Sequence, residues 1–221
     1  MANFKSIVYK VLDVEKGYQA DSGDSGNYTN SGKLVGTNYG ISAKAFEQYY
    51  KREPSIQNMK NLTKNDALAI YKVDYWDRVQ GDKIKNESTA HFIFDVFINA
   101  YRNGLKRVRE SLQEYYQSYE QKIVDINTNS SLSDTEINLI NSAKDKKLLF
   151  DMIKKREVNY RTNSGSQYAK GWVTRYNAIE YKNDYKTAKR IATGVAIAFA
   201  PAILVGAFFL GKLIYNKYIK K

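Results

Sequence analysis

The sequence predicts a mainly α protein with one small β-hairpin and a single transmembrane helix at its carboxy end. Three observations lead there. Apolar residues recur at three- and four-residue steps through most of the chain, with capping residues at several starts. The stretch densest in Asp, Ser, Asn and Gly, Asp21 to Gly36, falls between the first two periodic segments. Ile191 to Gly211 is a run of 21 residues without a charge.

The first helix opens near Phe4, and Ile7, Val8, Val11, Leu12 and Val14 share one of its faces. Glu15 follows Val11 by four residues and Val8 by seven, so it joins that stripe. A carboxyl group against apolar surface loses hydration, and its charged form is disfavoured. That is how a glutamic acid keeps a proton to give near neutral pH. The alternative is a last turn whose Glu15 simply reaches water. Gly17 can end the helix.

Asp21-Ser22-Gly23-Asp24-Ser25-Gly26 reads as consecutive turns, because Asp and Ser bond their own backbone and Gly accepts positive φ. A calcium loop would need a third early oxygen ligand at regular spacing and a closing Glu at its twelfth position, and the segment offers no such Glu. Asn27 to Gly36 reads as a short polar hairpin turning at Asn30-Ser31-Gly32. It would return Thr37 and Tyr39 to the end of the first helix.

Farther on, Ser42 can cap a helix through Ala45, Phe46 and Tyr49, with Pro54 in the loop beyond. Thr63 with Asp66 forms a capping-box pattern before Leu68, Tyr71 and Tyr75. Trp76 to Asp82 marks a boundary. Ser133 with Glu136 caps a helix carrying Ile137 and Ile140. Leu148, Leu149, Met152 and Ile153 line another, whose outer face is heavily charged. Asn163-Ser164-Gly165-Ser166 is a loop.

The run Ile191 to Gly211 has the length a helix needs to cross a bilayer. Lys186, Lys189 and Arg190 precede it, and Lys212, Lys217, Lys220 and Lys221 follow, so basic residues flank both ends and leave orientation open. Tyr215 and Tyr218 suit the interface, and Pro201 kinks such a helix without forbidding the span. The alternative is a buried core helix. At the other end, Lys5 and Lys10 interrupt the apolar residues, which argues against a signal peptide.

Composition removes several chemistries. There is no cysteine, so disulfides and thiolate metal sites are out, and the single histidine, His91, cannot build a zinc site alone. No metal or other cofactor is expected. The net charge is +12, but residues 1–185 hold 28 Lys/Arg against 23 Asp/Glu, and the other seven cations surround the apolar run. A modest positive field suits an anionic wall or membrane surface, and no nucleic-acid motif accompanies it. Nothing in the sequence speaks to oligomeric state.

Glu15-Lys16-Gly17-Tyr18, the Asp21/Asp24 loop and Thr37-Asn38-Tyr39-Gly40-Ile41 together resemble the signature of the glycoside hydrolase 108 family. These are lysozyme-like N-acetylmuramidases, common among phage endolysins. Lys16 stands where the family's motif has a glycine, and the Gly26-to-Gly36 stretch is longer than usual. The resemblance implies a lysozyme-like α+β fold, a glycosidase acting on bacterial peptidoglycan, and Glu15 as catalytic acid. Asp24 lies nine residues after Glu15, a spacing similar to the glutamate–aspartate pair of phage-type lysozymes. That second analogy makes Asp24 the other carboxylate and Thr37 its helper in holding water, with Asp21 able to take Asp24's place. Tyr18, Asp21, Asn38 and Tyr39 would line or shape the substrate cleft. Inverting enzymes hold their carboxylates about 6.5–9.5 Å apart and retaining ones about 5–5.5 Å; inversion is the expectation here.

From residue 76 the chain resembles the predicted peptidoglycan domain that follows the catalytic portion in that family. Phe92 to Asn99, Leu112-Gln113 and Gly171 to Arg175 carry the likeness. The expected organisation is therefore a catalytic region over 1–75, a helical region over 76–185 packed on it, and the membrane segment over 186–221. The helical region either binds wall or only completes the cleft. The implied setting is phage-driven lysis, with the enzyme held at the host inner membrane. The competing reading is a membrane-anchored wall-binding protein without catalysis.

Overall fold

The computed structural model describes residues 1–12, 17–124 and 129–183. Met1–Tyr181 forms one compact unit, and Lys182–Lys221 is grouped apart from it. The apolar run Ile191–Gly211 lies outside the described residues. No helix among the described residues is long and apolar enough to cross a membrane.

The unit is mainly helical, with eight α-helices among the described residues and β pairing limited to isolated bridges. Helix α1 (Phe4–Leu12) buries Ile7, Val8, Val11 and Leu12. Each such side chain contributes roughly 1.5–3 kcal/mol by leaving water. Phe4 reaches forward along the chain, packing its ring 5.6 Å from Trp76 and 6.3 Å from Phe94. Helix α2 (Ala43–Tyr50) starts where Ser42 accepts the Ala45 amide at 3.1 Å. Helices α3 (Ile56–Lys60) and α4 (Lys64–Ile70) open on reciprocal capping boxes, Ser55 with Asn58 and Thr63 with Asp66. Each such cap is worth about 1 kcal/mol.

Helix α4 runs into a π-helical turn, Tyr71–Trp76, in which the Asp77 amide reaches the Lys72 carbonyl at 2.9 Å. Trp76 is fully buried, and its indole donates to Asp82 at 2.9 Å. Helix α5 (Glu87–Tyr119) supplies Phe92, Ile93, Phe94, Val96, Phe97 and Leu112 to the core. It is interrupted at Tyr101, whose φ of 46° and ψ of −127° are not helical. Helices α6 (Asp134–Ser142), α7 (Lys146–Thr162) and α8 (Ala169–Ala178) complete the unit. Helix α5 packs on α7, and α7 on α8, where Phe92 meets Phe150 at 5.6 Å and Tyr176 at 5.4 Å.

Charge is sealed between these helices. Glu136 closes the α6 capping box with Ser133 and also takes the buried Arg109 guanidinium at 2.5 Å. Glu157 and Arg161 of α7 point inward, whereas periodicity puts that helix's charges outside. The motif residues of the second half are structural too. Phe92–Phe97 are core, Arg175 of α8 pairs with buried Asp95, and Arg161 lies 4.1 Å over the Trp172 ring.

His91 sits half-buried on α5. Burial first, then the positive charges of Lys10 and Arg175, lower its pKa to about 4, against a smaller opposing pull from Glu87. The folded chain thus resists a proton that the unfolded chain accepts near 6.5. Its contribution is complete above about pH 6.5 and is lost as pH falls toward 4, up to about 3 kcal/mol. The drop in melting temperature between pH 7 and pH 4.5 is expected to shrink in His91→Gln. An unchanged drop would assign acid instability to other groups.

Candidate active site

The hairpin predicted over Asn27–Gly36 forms and does what its spacing requires. Tyr28 pairs with Leu34, and the Gly32 amide closes the turn on Thr29 at 3.0 Å. The chain then comes back alongside its own beginning. Gln19 and Thr37 exchange both backbone hydrogen bonds, at 2.9 and 2.8 Å. The additional length between Gly26 and Gly36 is therefore absorbed within the hairpin, and Thr37 still returns to the Asp21/Asp24 loop.

A buried amide holds this junction. Asn27 is fully buried, and its Nδ2 donates to Gln19 Oε1 at 2.9 Å and to the Asp21 carbonyl at 2.8 Å. Its Oδ1 accepts from Gln19 Nε2 at 3.1 Å and from the Thr37 hydroxyl at 2.5 Å. Its own carbonyl takes the Val35 and Gly36 amides at 2.9 and 3.0 Å. Every polar group of the side chain is satisfied, as burial demands. Gln19 and Asn27 are absent from the sequence-predicted set. Neither has a periodic or motif signal, because their role is a mutual pairing between two loops.

Asp24 is tied into the same network. It caps the short 3₁₀ turn Ser25–Asn27 by accepting the Gly26 amide at 2.8 Å, and its other oxygen takes Gln19 Nε2 at 3.3 Å. Gln19 thus joins Asp24 to Asn27, and Asn27 joins Gln19 to Thr37. Asp21 stands farther out. Its exposed carboxylate accepts only the Gly23 amide at 2.9 Å among the described residues.

The Thr-Asn-Tyr-Gly-Ile run folds as a tight turn in which Asn38 and Ile41 exchange backbone hydrogen bonds. Tyr39 and Gly40 both have positive φ, 50° and 73°, the pattern of a type I′ turn. Asn38 is buried and caps the end of α3, donating to the Met59 carbonyl at 2.9 Å and the Lys60 carbonyl at 3.3 Å. The Tyr39 carbonyl accepts the Tyr71 hydroxyl at 3.2 Å. Tyr18 donates to the Val35 carbonyl at 3.1 Å and lays its ring against Gly36. A Cβ at Gly36 would fall 2.6 Å from both the Tyr18 ring and the Gln19 carbonyl, and its φ is +88°, so only glycine fits.

Glu15 lies outside the described residues, in the gap at 13–16. It follows the buried Leu12 of α1 by three residues and precedes Gly17 by two. The other six sequence-predicted residues all belong to one junction. Asp24 and Thr37 share its side-chain network, Asp21 and Tyr18 flank it, and Asn38 and Tyr39 form its adjoining turn.

Elsewhere, the hairpin is fastened to α2 and to the loop that follows it. Asn30 donates through backbone and side chain to Glu47, and Ser31 and Lys33 bind Glu53. The bonds from Lys33 and Ser31 lower the Glu53 pKa to about 2. An open polar depression of about 580 Å³ lies here, and no predicted site residue lines it.

The family model described as Glycosyl hydrolase 108 matches residues 8–100. That span contains the whole junction and Glu15, and it supports glycoside hydrolysis as the chemistry of this stretch. The solved structure "Structure of Brucella abortus SagA" is 21% identical, with a TM-score of 0.62. The likeness covers 80% of this chain and 90% of that one, so the shared fold extends well past the matched region into the later helices. No curated protein matches the chain.

Proposed function

We propose that the protein is an N-acetylmuramidase that cleaves the β-1,4 glycosidic bonds of bacterial peptidoglycan. The observation that carries this reading is the family match over 8–100 laid on a junction that joins Asp24 to Thr37 through Gln19 and Asn27. Glycosidic cleavage needs a proton for the leaving oxygen and a carboxylate for the oxocarbenium-like centre or its water. Glu15 is the acid in this reading. Asp24 is the second carboxylate, and its contacts leave lone pairs open for a water. Thr37 gives its proton to Asn27, so its oxygen is presented to that water as an acceptor. The opposite-face water of an inverting reaction fits this arrangement.

Asn38 and Tyr39 act through the shape of their turn. Tyr18 supports the hairpin and offers the edge of a half-buried ring. The later helices complete the cleft, and their motif residues serve mainly in packing. The biological setting we favour is phage-driven lysis. The apolar segment Ile191–Gly211 would tether the enzyme at the inner membrane, facing the wall once access is given.

Incubating the full-length protein with purified peptidoglycan and identifying the new reducing ends tests the reading. Muramic acid ends are expected. Glucosamine ends, or intact strands, overturn it and favour a wall-binding protein.

A further inference from the structure

Three costs to stability meet beside the candidate site. The first is the π-helical turn Tyr71–Trp76, a geometry rare in general and frequent at functional sites. The second is Asp74 on that turn, a buried carboxylate whose Oδ2 has no hydrogen-bond partner among the described residues. The third is Tyr101, a large side chain held at φ 46° where α5 breaks. Non-glycine residues keep such a backbone only when their surroundings force it, and such residues gather at ligand sites.

The π-helical turn and the break in α5 meet through side chains. The Tyr75 ring lies 6.0 Å from Phe97, which stacks on Tyr101 at 4.8 Å and 22°. Arg78, one turn beyond Tyr75, donates to the Tyr101 hydroxyl at 2.6 Å and spreads over its ring at 5.7 Å. Tyr75 and Tyr101 are only partly buried, and Phe97 beneath them is fully buried. The Tyr75 hydroxyl has no hydrogen bond among the described residues. Burial, with Asp74 and Tyr101 nearby, raises its pKa to about 12, so it remains a donor at neutral pH. The group also connects to the signature turn, since Tyr71 sits 5.6 Å from Tyr75 and bonds the Tyr39 carbonyl.

We propose that Tyr75, Arg78 and Tyr101 form a glycan subsite, reached from the Thr37–Ile41 turn, that holds a sugar ring of the wall strand beside the cleaved bond. Half-buried tyrosines suit the apolar face of a pyranose. The Tyr101 hydroxyl held by Arg78, and the Tyr75 hydroxyl, unpaired among the described residues, suit its polar edge. Arg78 adds a cation for the lactyl carboxylate, which muramic acid exposes where its stem peptide has been removed. Tyr101 is the residue that fixes the site's shape, and the broken helix is the cost of aiming it. This subsite rests on the muramidase reading for its substrate.

Tyr101→Gly separates a binding role from a structural one, because glycine suits this backbone while the ring and hydroxyl are lost. Soluble glycan strands, freed of peptide by amidase digestion, are titrated against full-length Glu15→Gln with and without Tyr101→Gly. Binding is expected to weaken about ten-fold, with the melting temperature held within about 3 °C. In the Glu15-intact protein, KM should rise by a similar factor with kcat within about two-fold. Tyr75→Phe, which keeps the ring, should weaken binding about three-fold and guards against a misfolded Tyr101 variant. Unchanged strand affinity in both variants overturns the subsite. A wild type that binds strands through Tyr101 yet never cleaves them strikes the muramidase reading and leaves the subsite standing.

Discussion

Glu15→Gln is expected to lower peptidoglycan hydrolysis about 1,000-fold, the middle to upper range for removing a general acid. That corresponds to about 4 kcal/mol of lost transition-state stabilisation. Glutamine keeps the shape and a donor but has no proton to transfer to the leaving oxygen. The measurement is release of soluble muropeptides from purified wall, at equal protein and constant pH. Retention of more than about a tenth of the activity would remove Glu15 from the acid role. The same assay decides between the two loop carboxylates. Asp24→Asn and Asp21→Asn both preserve an acceptor for the amide each carboxylate caps, Gly26 in one case and Gly23 in the other. Neither substitution should unfold the loop. Asp24→Asn also sets an NH2 against Gln19 Nε2, so its fall in rate is compared with that of Gln19→Ala, which breaks the same link and keeps the charge. Asp24→Asn is expected to fall at least about 100-fold and Asp21→Asn less than about five-fold. The reverse order would move the second carboxylate to Asp21.

Legibility follows how local each interaction is. The starts of α2, α4 and α6 can be read from Ser42, from Thr63 with Asp66 and from Ser133 with Glu136. Each cap bonds an amide within three residues of itself. The hairpin is legible for the same reason, since Asn30-Ser31-Gly32 contains its own turn chemistry. What stays hidden are pairings made between distant segments. The Gln19–Asn27 amide pair joins two loops, and neither residue type announces a partner. Glu136 reads as a surface cap, yet its second role with Arg109 buries it completely. Tyr101 is the strongest case. Tyrosine carries no signal for positive φ, so the periodicity of Phe92 to Leu112 runs through the break as though the helix were continuous.

The burial of Glu157 carries the largest expected effect on stability. Its carboxylate receives Arg107 from α5, with one nitrogen at 3.0 Å, and Arg161 from the next turn of its own helix at 2.9 Å. Arg161 also donates to the Asn99 carbonyl at 3.2 Å, two residues before the break in α5. Glu157 is 1% exposed, and Arg107 and Arg161 are 9% and 6% exposed. Glu157→Ala would leave two like charges facing each other without the carboxylate they share. Removing one member of a buried ion group costs about 3–5 kcal/mol. For a chain of this length, that lowers the melting temperature by roughly 10 °C. The cost is that of stranding charge, and the ion group itself adds little to stability. Replacing Arg107, Glu157 and Arg161 together by Met, Leu and Met should therefore recover most of the loss. Recovery in the triple variant with a deep fall in the single one fits this account. A single variant that melts within about 2 °C of wild type would mean that water already reaches the cluster and that α5 and α7 are held by their apolar faces alone.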